Sequence, residues 1–146
     1  MTIETRAGNE AQIRERIEGW TKALRAKDVD AVMSYYTRDV LSFDLAPPLL
    51  QTGDAVRRGW EEWFPTFRGP IGYEIRDLTL TLGDDVAFGH SLNRVSGTLK
   101  NGNRTDFRLR WTACFRKIDG NWLVVHDQVS VPIDPESGRA LLNLEP

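Results

Sequence analysis

Asp44, His90 and His126 are the residues of this 146-residue chain whose types suit joint acid–base chemistry. Asp44 sits in "VLSFDLAPPLL", a stretch that otherwise reads as a strand about to be buried, just before a Pro-Pro bend. Aspartate is a poor strand former and costly to desolvate as an ion, so its presence there needs a reason. One reason is chemical. A carboxylate held among apolar walls titrates high and can take a proton from a carbon acid. The other is local, since an aspartate before a turn often caps it through its own side chain. The chain's two histidines lie in the strand-like segments "VAFGHSLNR" and "NWLVVHDQVS". Imidazole beside a carboxylate serves as base, acid or neutral donor. Taken alone, each histidine also fits a core residue bonded to a backbone carbonyl. Two histidines and a carboxylate are the donor types of a facial metal triad. Their separations of 46 and 36 residues carry no metal-ligand signature, and no metal is expected. Asp127 next to His126 makes no dyad, because adjacent strand residues point to opposite faces. Cys114 has no such histidine partner and reads as a small apolar residue on the outer sheet face. No phosphate loop is present, and no cofactor is expected.

Several elements must position these residues. Residues 1–8 read as a frayed arm. Ile13, Ile17, Trp20 and Leu24 then recur at helical spacing, with charged residues between them. Asp28 can cap a second short helix, with Val29, Val32, Met33 and Tyr36 facing inward. "TGDAVRRGWEEWF" predicts a third helix, with Thr52 or Asp54 near its start and Pro65 at its end. Its Trp60 and Trp63 are expected to pack onto a sheet. From Ile71 the period becomes two. Four strand-like segments, "IGYEIRDLTLTL", "VAFGHSLNRVSGTL", "RTDFRLRWTACFRKI" and "NWLVVHDQVSV", are separated by short Gly- and Asn-bearing turns. Short links join antiparallel neighbours, which makes the fold class α+β, helices over one face of a mostly antiparallel sheet. Alternation puts Val86, Phe88, His90, Leu92 and Arg94 on one face of their strand. It puts Trp122, Val124, His126, Gln128 and Ser130 on one face of the last.

Composition limits the partners. The net charge is −2, from 19 basic and 21 acidic residues interspersed, so no concentrated basic field exists for nucleic acid or an anionic membrane. The length fits one domain, residues 1–146, and 40% hydrophobic residues can fill a core. No apolar run reaches spanning length, and the first residues lack the apolar core of a signal peptide, so a cytoplasmic protein is expected.

Three stretches carry a family resemblance: "AKDVDAVMSYYTRDVLSFD", "GDAVRRGWEEW" and "RKIDGNWLVVHDQVSVP". With the element order they resemble the nuclear transport factor 2-like superfamily, in its SnoaL-like, ketosteroid-isomerase-related branch, over nearly the whole chain. The resemblance implies a cystatin-like cone, a barrel-like curved sheet wrapped by three N-terminal helices, whose apolar cavity holds a small hydrophobic molecule. It places Asp44 at the isomerase's catalytic base, Trp20 at its oxyanion-hole tyrosine and Ala113 at its second oxyanion donor. The base position is kept and both donor positions are not. The resemblance also puts His90, Leu92, His126 and Gln128 on the cavity side, where either histidine could replace the missing donors. Trp20, Tyr36, Trp60, Trp111 and Ala113 would join Leu92 and Gln128 against the ligand, and Arg94 would rim the mouth. The implied activity is that of an isomerase, dehydratase or cyclase acting on a hydrophobic carbonyl compound. A noncatalytic apolar-ligand module and an association module are the alternatives. The outer sheet face, with Leu123, Val125, Val129 and Val131 as an apolar row, is expected to form a homodimer. The last fifteen residues, with Leu141, Leu142 and Leu144, are too apolar for a free tail.

Overall fold

A computed structural model describes residues 1–146. Helix α1 spans Ile3–Arg25 and α2 Val29–Met33. Strand β1 (Tyr36–Phe43) and the short β2 (Gln51–Thr52) precede helix α3 (Asp54–Trp63) and one 3-10 turn (Phe64–Thr66). Four long strands follow: β3 (Phe67–Leu82), β4 (Val86–Leu99), β5 (Arg104–Ile118) and β6 (Asn121–Ser130). The N-terminal arm is not frayed. Thr2 accepts a hydrogen bond from the Thr5 amide and caps α1 at its first turn, satisfying a backbone donor that would otherwise be orphaned.

The six strands form one sheet in the order β2-β1-β6-β5-β4-β3. All neighbours are antiparallel except β1 and β6, which run parallel. The curved sheet does not close, so the barrel is a half-wrap with β2 and β3 as its edges. Helix α1 lies against the inner face, burying Ile13, Ile17, Trp20 and Leu24. Each such side chain contributes about 1.5–3 kcal/mol on leaving water. Asp28 caps α2 by accepting from the Ala31 amide at 3.1 Å. Gly53 at φ +50° turns the chain from β2 into α3, in a region that only glycine enters freely. The C-terminal segment docks along β5, with the Arg108 amide donating to the Leu142 carbonyl at 3.0 Å. No helix is long and apolar enough to cross a membrane.

Two strands depart from simple alternation. On β4 the buried residues are Ala87, Gly89, Ser91, Asn93, Val95 and Gly97, and His90 stands exposed on the other face. The register fixes this phase, because Ser91 lies opposite the buried Trp111 and His90 opposite Thr112. On β6, Phe115 pairs with Val124 but Cys114 pairs with His126. Val125 is therefore an extra residue, a β-bulge that reverses the alternation beyond it. Trp122 and Val124 face inward before the bulge, and Asp127 and Val129 face inward after it.

Candidate active site

The inner sheet face, α1 and α3 enclose a cavity of about 440 Å³, within the range of small-molecule sites. Seven aromatic side chains line it, including four of the five tryptophans: Trp20, Trp60, Trp63 and Trp111. Trp20 is held from several sides. Its ring stacks on Trp111 with centroids 5.3 Å apart and meets Tyr73 edge-on at 5.4 Å. Its Nε1 donates to the Tyr36 hydroxyl at 2.9 Å. That hydrogen bond is why a tryptophan can be buried here at little polar cost.

Three carboxylates enter the lining, Asp44, Glu62 and Asp127, and no lysine, arginine or histidine does. Asp44 follows β1 at the mouth and is exposed. Its Oδ1 accepts from the Leu45 amide at 2.7 Å, so it caps the bend and also faces the cavity. Asp127 lies deeper, 8% exposed. Its Oδ1 accepts from Ser42 Oγ at 2.5 Å, across the β1–β6 pairing that sets these two residues side by side. Burial pushes the Asp127 carboxyl above the usual carboxylate range, and the Asp44 charge pushes the same way. The Ser42 hydrogen bond and His126, which act in the opposite direction, offset this only in part. Burial and the charge of Asp127 in turn raise Tyr36 well above the ordinary phenol value, and Tyr73 is raised chiefly by burial. Both phenols are therefore neutral donors across the working pH range.

The expected site is thus half assembled. Asp44, Trp20, Tyr36, Trp60 and Trp111 line one cavity. His90, Leu92 and Arg94 lie on the opposite face of β4. Arg94 there makes a bidentate ion pair with Asp106, at 2.9 and 2.5 Å, and does not rim the mouth. His126 and Gln128 are turned outward by the β6 bulge. His126 Nδ1 is bonded to the Leu41 carbonyl at 2.7 Å, and its ring packs edge-on against Phe43. Ala113 faces inward but is sealed in the core, opposite Asp127. His126 and Asp127 do point to opposite faces, but the aspartate is the one inside. Val129 faces the cavity too, so it drops out of the expected outer apolar row. No group of three or more histidine, cysteine or acidic side chains is gathered closely enough to ligate a metal ion.

An open, curved, mostly antiparallel sheet with helices over its concave face and a polar-tipped aromatic cavity is the nuclear transport factor 2-like architecture. The SnoaL-like domain profile matches residues 13–134, and the chain belongs to that family. A nuclear transport factor 2-like protein of unknown function from Pseudomonas putida superposes with a TM-score of 0.88. It is 31% identical, over 96% of this chain and 98% of that one. A ketosteroid isomerase-like protein from Erwinia carotovora shares the fold at TM-score 0.70 and 24% identity, over 82% and 93% of the two chains. So does a protein of unknown function with a cystatin-like fold from Nostoc punctiforme, at 0.70 and 21%, over 86% and 91%. No curated protein matches the chain.

Proposed function

We propose that this protein is an acid–base enzyme acting without a cofactor on a small hydrophobic carbonyl compound, as an isomerase or dehydratase does. The observation that carries the reading is Asp127, a buried carboxyl in a cavity whose lining holds no lysine, arginine or histidine, sharing that cavity with the exposed Asp44. Burial favours the protonated form of Asp127 and equips it to donate, while Asp44 stands open to solvent at the mouth, placed to accept. The roles divide accordingly. Asp44 takes a proton from the carbon next to the carbonyl, and the electron pair moves into the new carbon–carbon double bond and onto oxygen. Asp127 supplies the hydrogen bond or proton that this oxygen needs. Return of the proton from Asp44 to a different carbon completes an isomerisation, with nothing consumed. This assignment puts Asp127 in the place of the absent oxyanion donors.

Asp44→Asn should reduce solvent-deuterium exchange at the α-carbon of cyclic ketone and enone probes by at least about a hundredfold. Folding should be unaffected, because the side chain is exposed. Undiminished exchange in the variant would refute the base assignment, and no exchange in the unmodified protein would favour a ligand-binding role. The same reading includes a homodimer through the outer sheet face. There Phe88 and Val86 are 45% and 53% exposed, more than a solvated sheet needs.

A further inference from the structure

Tyr73, on β3, is 4% exposed and forms the cavity wall beside Trp20. Its backbone is clamped by the end of α1, where Arg25 donates to the Tyr73 carbonyl through Nε at 2.9 Å and Nη2 at 2.6 Å. Its side chain is held from within the sheet. Asn93 Nδ2 donates to the Tyr73 hydroxyl at 2.7 Å, and Ser91 Oγ donates to Asn93 Oδ1 at 2.6 Å. Ser91 and Asn93 are 4% and 1% exposed, at inward positions of β4 where apolar residues would be cheaper.

The direction of these bonds matters. Serine gives to asparagine, asparagine gives to tyrosine, and a tyrosine hydroxyl that accepts still has a proton to donate. That proton has no acceptor in the protein, since the Tyr73 hydroxyl makes no other hydrogen bond. Tyr36 differs, its hydroxyl accepting from Trp20 and directing its own proton toward Asp127. The charge of Asp127 raises both phenols, which places the three groups within one another's field. One region of the cavity therefore gathers neutral O–H donors, in a lining that holds three carboxyl side chains and no cation.

We propose that Tyr73, positioned by Asn93 and Ser91, donates a hydrogen bond to the ligand's oxygen while keeping its proton, and that the cavity selects uncharged carbonyl compounds over carboxylates and phosphates. The inference rests on the reading of this cavity as a ligand site, but not on turnover. A carbonyl oxygen accepts from a neutral donor without demanding a counter-ion. An anion would enter an acidic, partly dry site and find no positive charge to replace its lost water.

The test uses three probes on one skeleton: 2-acetylnaphthalene, the hydrocarbon 2-ethylnaphthalene and the anion 2-naphthoate. Binding is followed by the fluorescence of the cavity tryptophans. The ketone should bind about tenfold more tightly than the hydrocarbon, and naphthoate more weakly than either. Tyr73→Phe should abolish the ketone's advantage while leaving the hydrocarbon's affinity unchanged. Infrared spectroscopy of the carbonyl-labelled ketone reads the contact directly. Its stretch should fall to lower wavenumber on binding, and move back toward its value in apolar solvent in the variant. Should Tyr73→Phe fold poorly, Ser91→Ala loosens the same chain and should show a smaller shift of the same sign. An unchanged ketone-to-hydrocarbon ratio and stretch in Tyr73→Phe, or naphthoate binding as tightly as the ketone, would overturn the assignment. Failure of every probe to bind would overturn the cavity reading with it. Ketone binding without α-proton exchange would instead leave Tyr73 in place and sink only the enzymatic role.

Discussion

Replacing Asp127 with asparagine should stabilise the protein at neutral pH, and by an amount that depends on pH. The substitution keeps the size of the side chain and an oxygen to accept from Ser42, 2.5 Å away, but removes the ionisation. Burial raises the Asp127 carboxyl above its ordinary value of 3.8, so the folded protein holds this proton more tightly than the unfolded chain does. Below pH 3.8 both states are protonated and the stability is fully present. As pH rises above 3.8 the unfolded chain releases the proton first, and stability falls by up to about 1.4 kcal/mol per pH unit. The fall stops once pH passes the folded-state value. Asp127→Asn lacks this loss. For each pH unit that the window spans, its melting temperature should gain roughly 3–6 °C on the wild type, given the entropy of unfolding of a chain this long. Thermal unfolding followed by circular dichroism from pH 3 to 8 measures the difference. Curves that run parallel across the whole range would refute the reasoning, as would a variant that loses ground as pH rises. Either result would mean that Asp127 is ionised in the folded protein and balanced by something other than a proton.

Leu24 is fully buried where α1 meets the sheet, so Leu24→Ala should cost about 2–5 kcal/mol, read as a lower urea midpoint; a loss below about 1 kcal/mol would show that the site collapses around the void. Sedimentation at micromolar concentration should give a dimer, and Phe88→Glu on the outer face should give a folded monomer; a wild-type monomer would refute the interface.

The helices were legible because one periodicity governs them. Ile13, Ile17, Trp20 and Leu24 point inward as their spacing requires, and Asp28 caps the second helix as its residue type suggests. The long strands were legible in extent, since glycine- and asparagine-bearing turns end them. Their phase was not. On β4 the outward row, Val86, Phe88, His90 and Leu92, is more apolar than the inward row of Ala87, Gly89, Ser91 and Asn93. Hydrophobic alternation therefore points the wrong way, and only the pairing with Trp111 on β5 corrects it. The inward serine and asparagine are tolerable because they serve Tyr73, a tertiary contact that no local pattern contains. On β6 the obstacle is different in kind. A bulge at Val125 leaves no mark in "NWLVVHDQVS", where valine suits a regular strand as well as a bulged one. Asp44 was found from sequence because it is odd for its place, whereas Asp127 was passed over because strict alternation excluded it.

The bulge at Val125 also makes the chemistry of this cavity a matter of counting. Were the strand beyond Val124 regular with Val125 kept in the ladder, Val125 would point outward and His126 and Gln128 would come inward where Asp127 and Val129 now stand. An acidic wall would become a basic and amide-bearing one, with no side chain replaced and no strand lost. In such a sheet a frame change of one residue is equivalent to several simultaneous substitutions. A strand of this kind can therefore reach a distant chemistry by gaining or losing a bulge, a route that comparison of aligned residue types alone would not reveal.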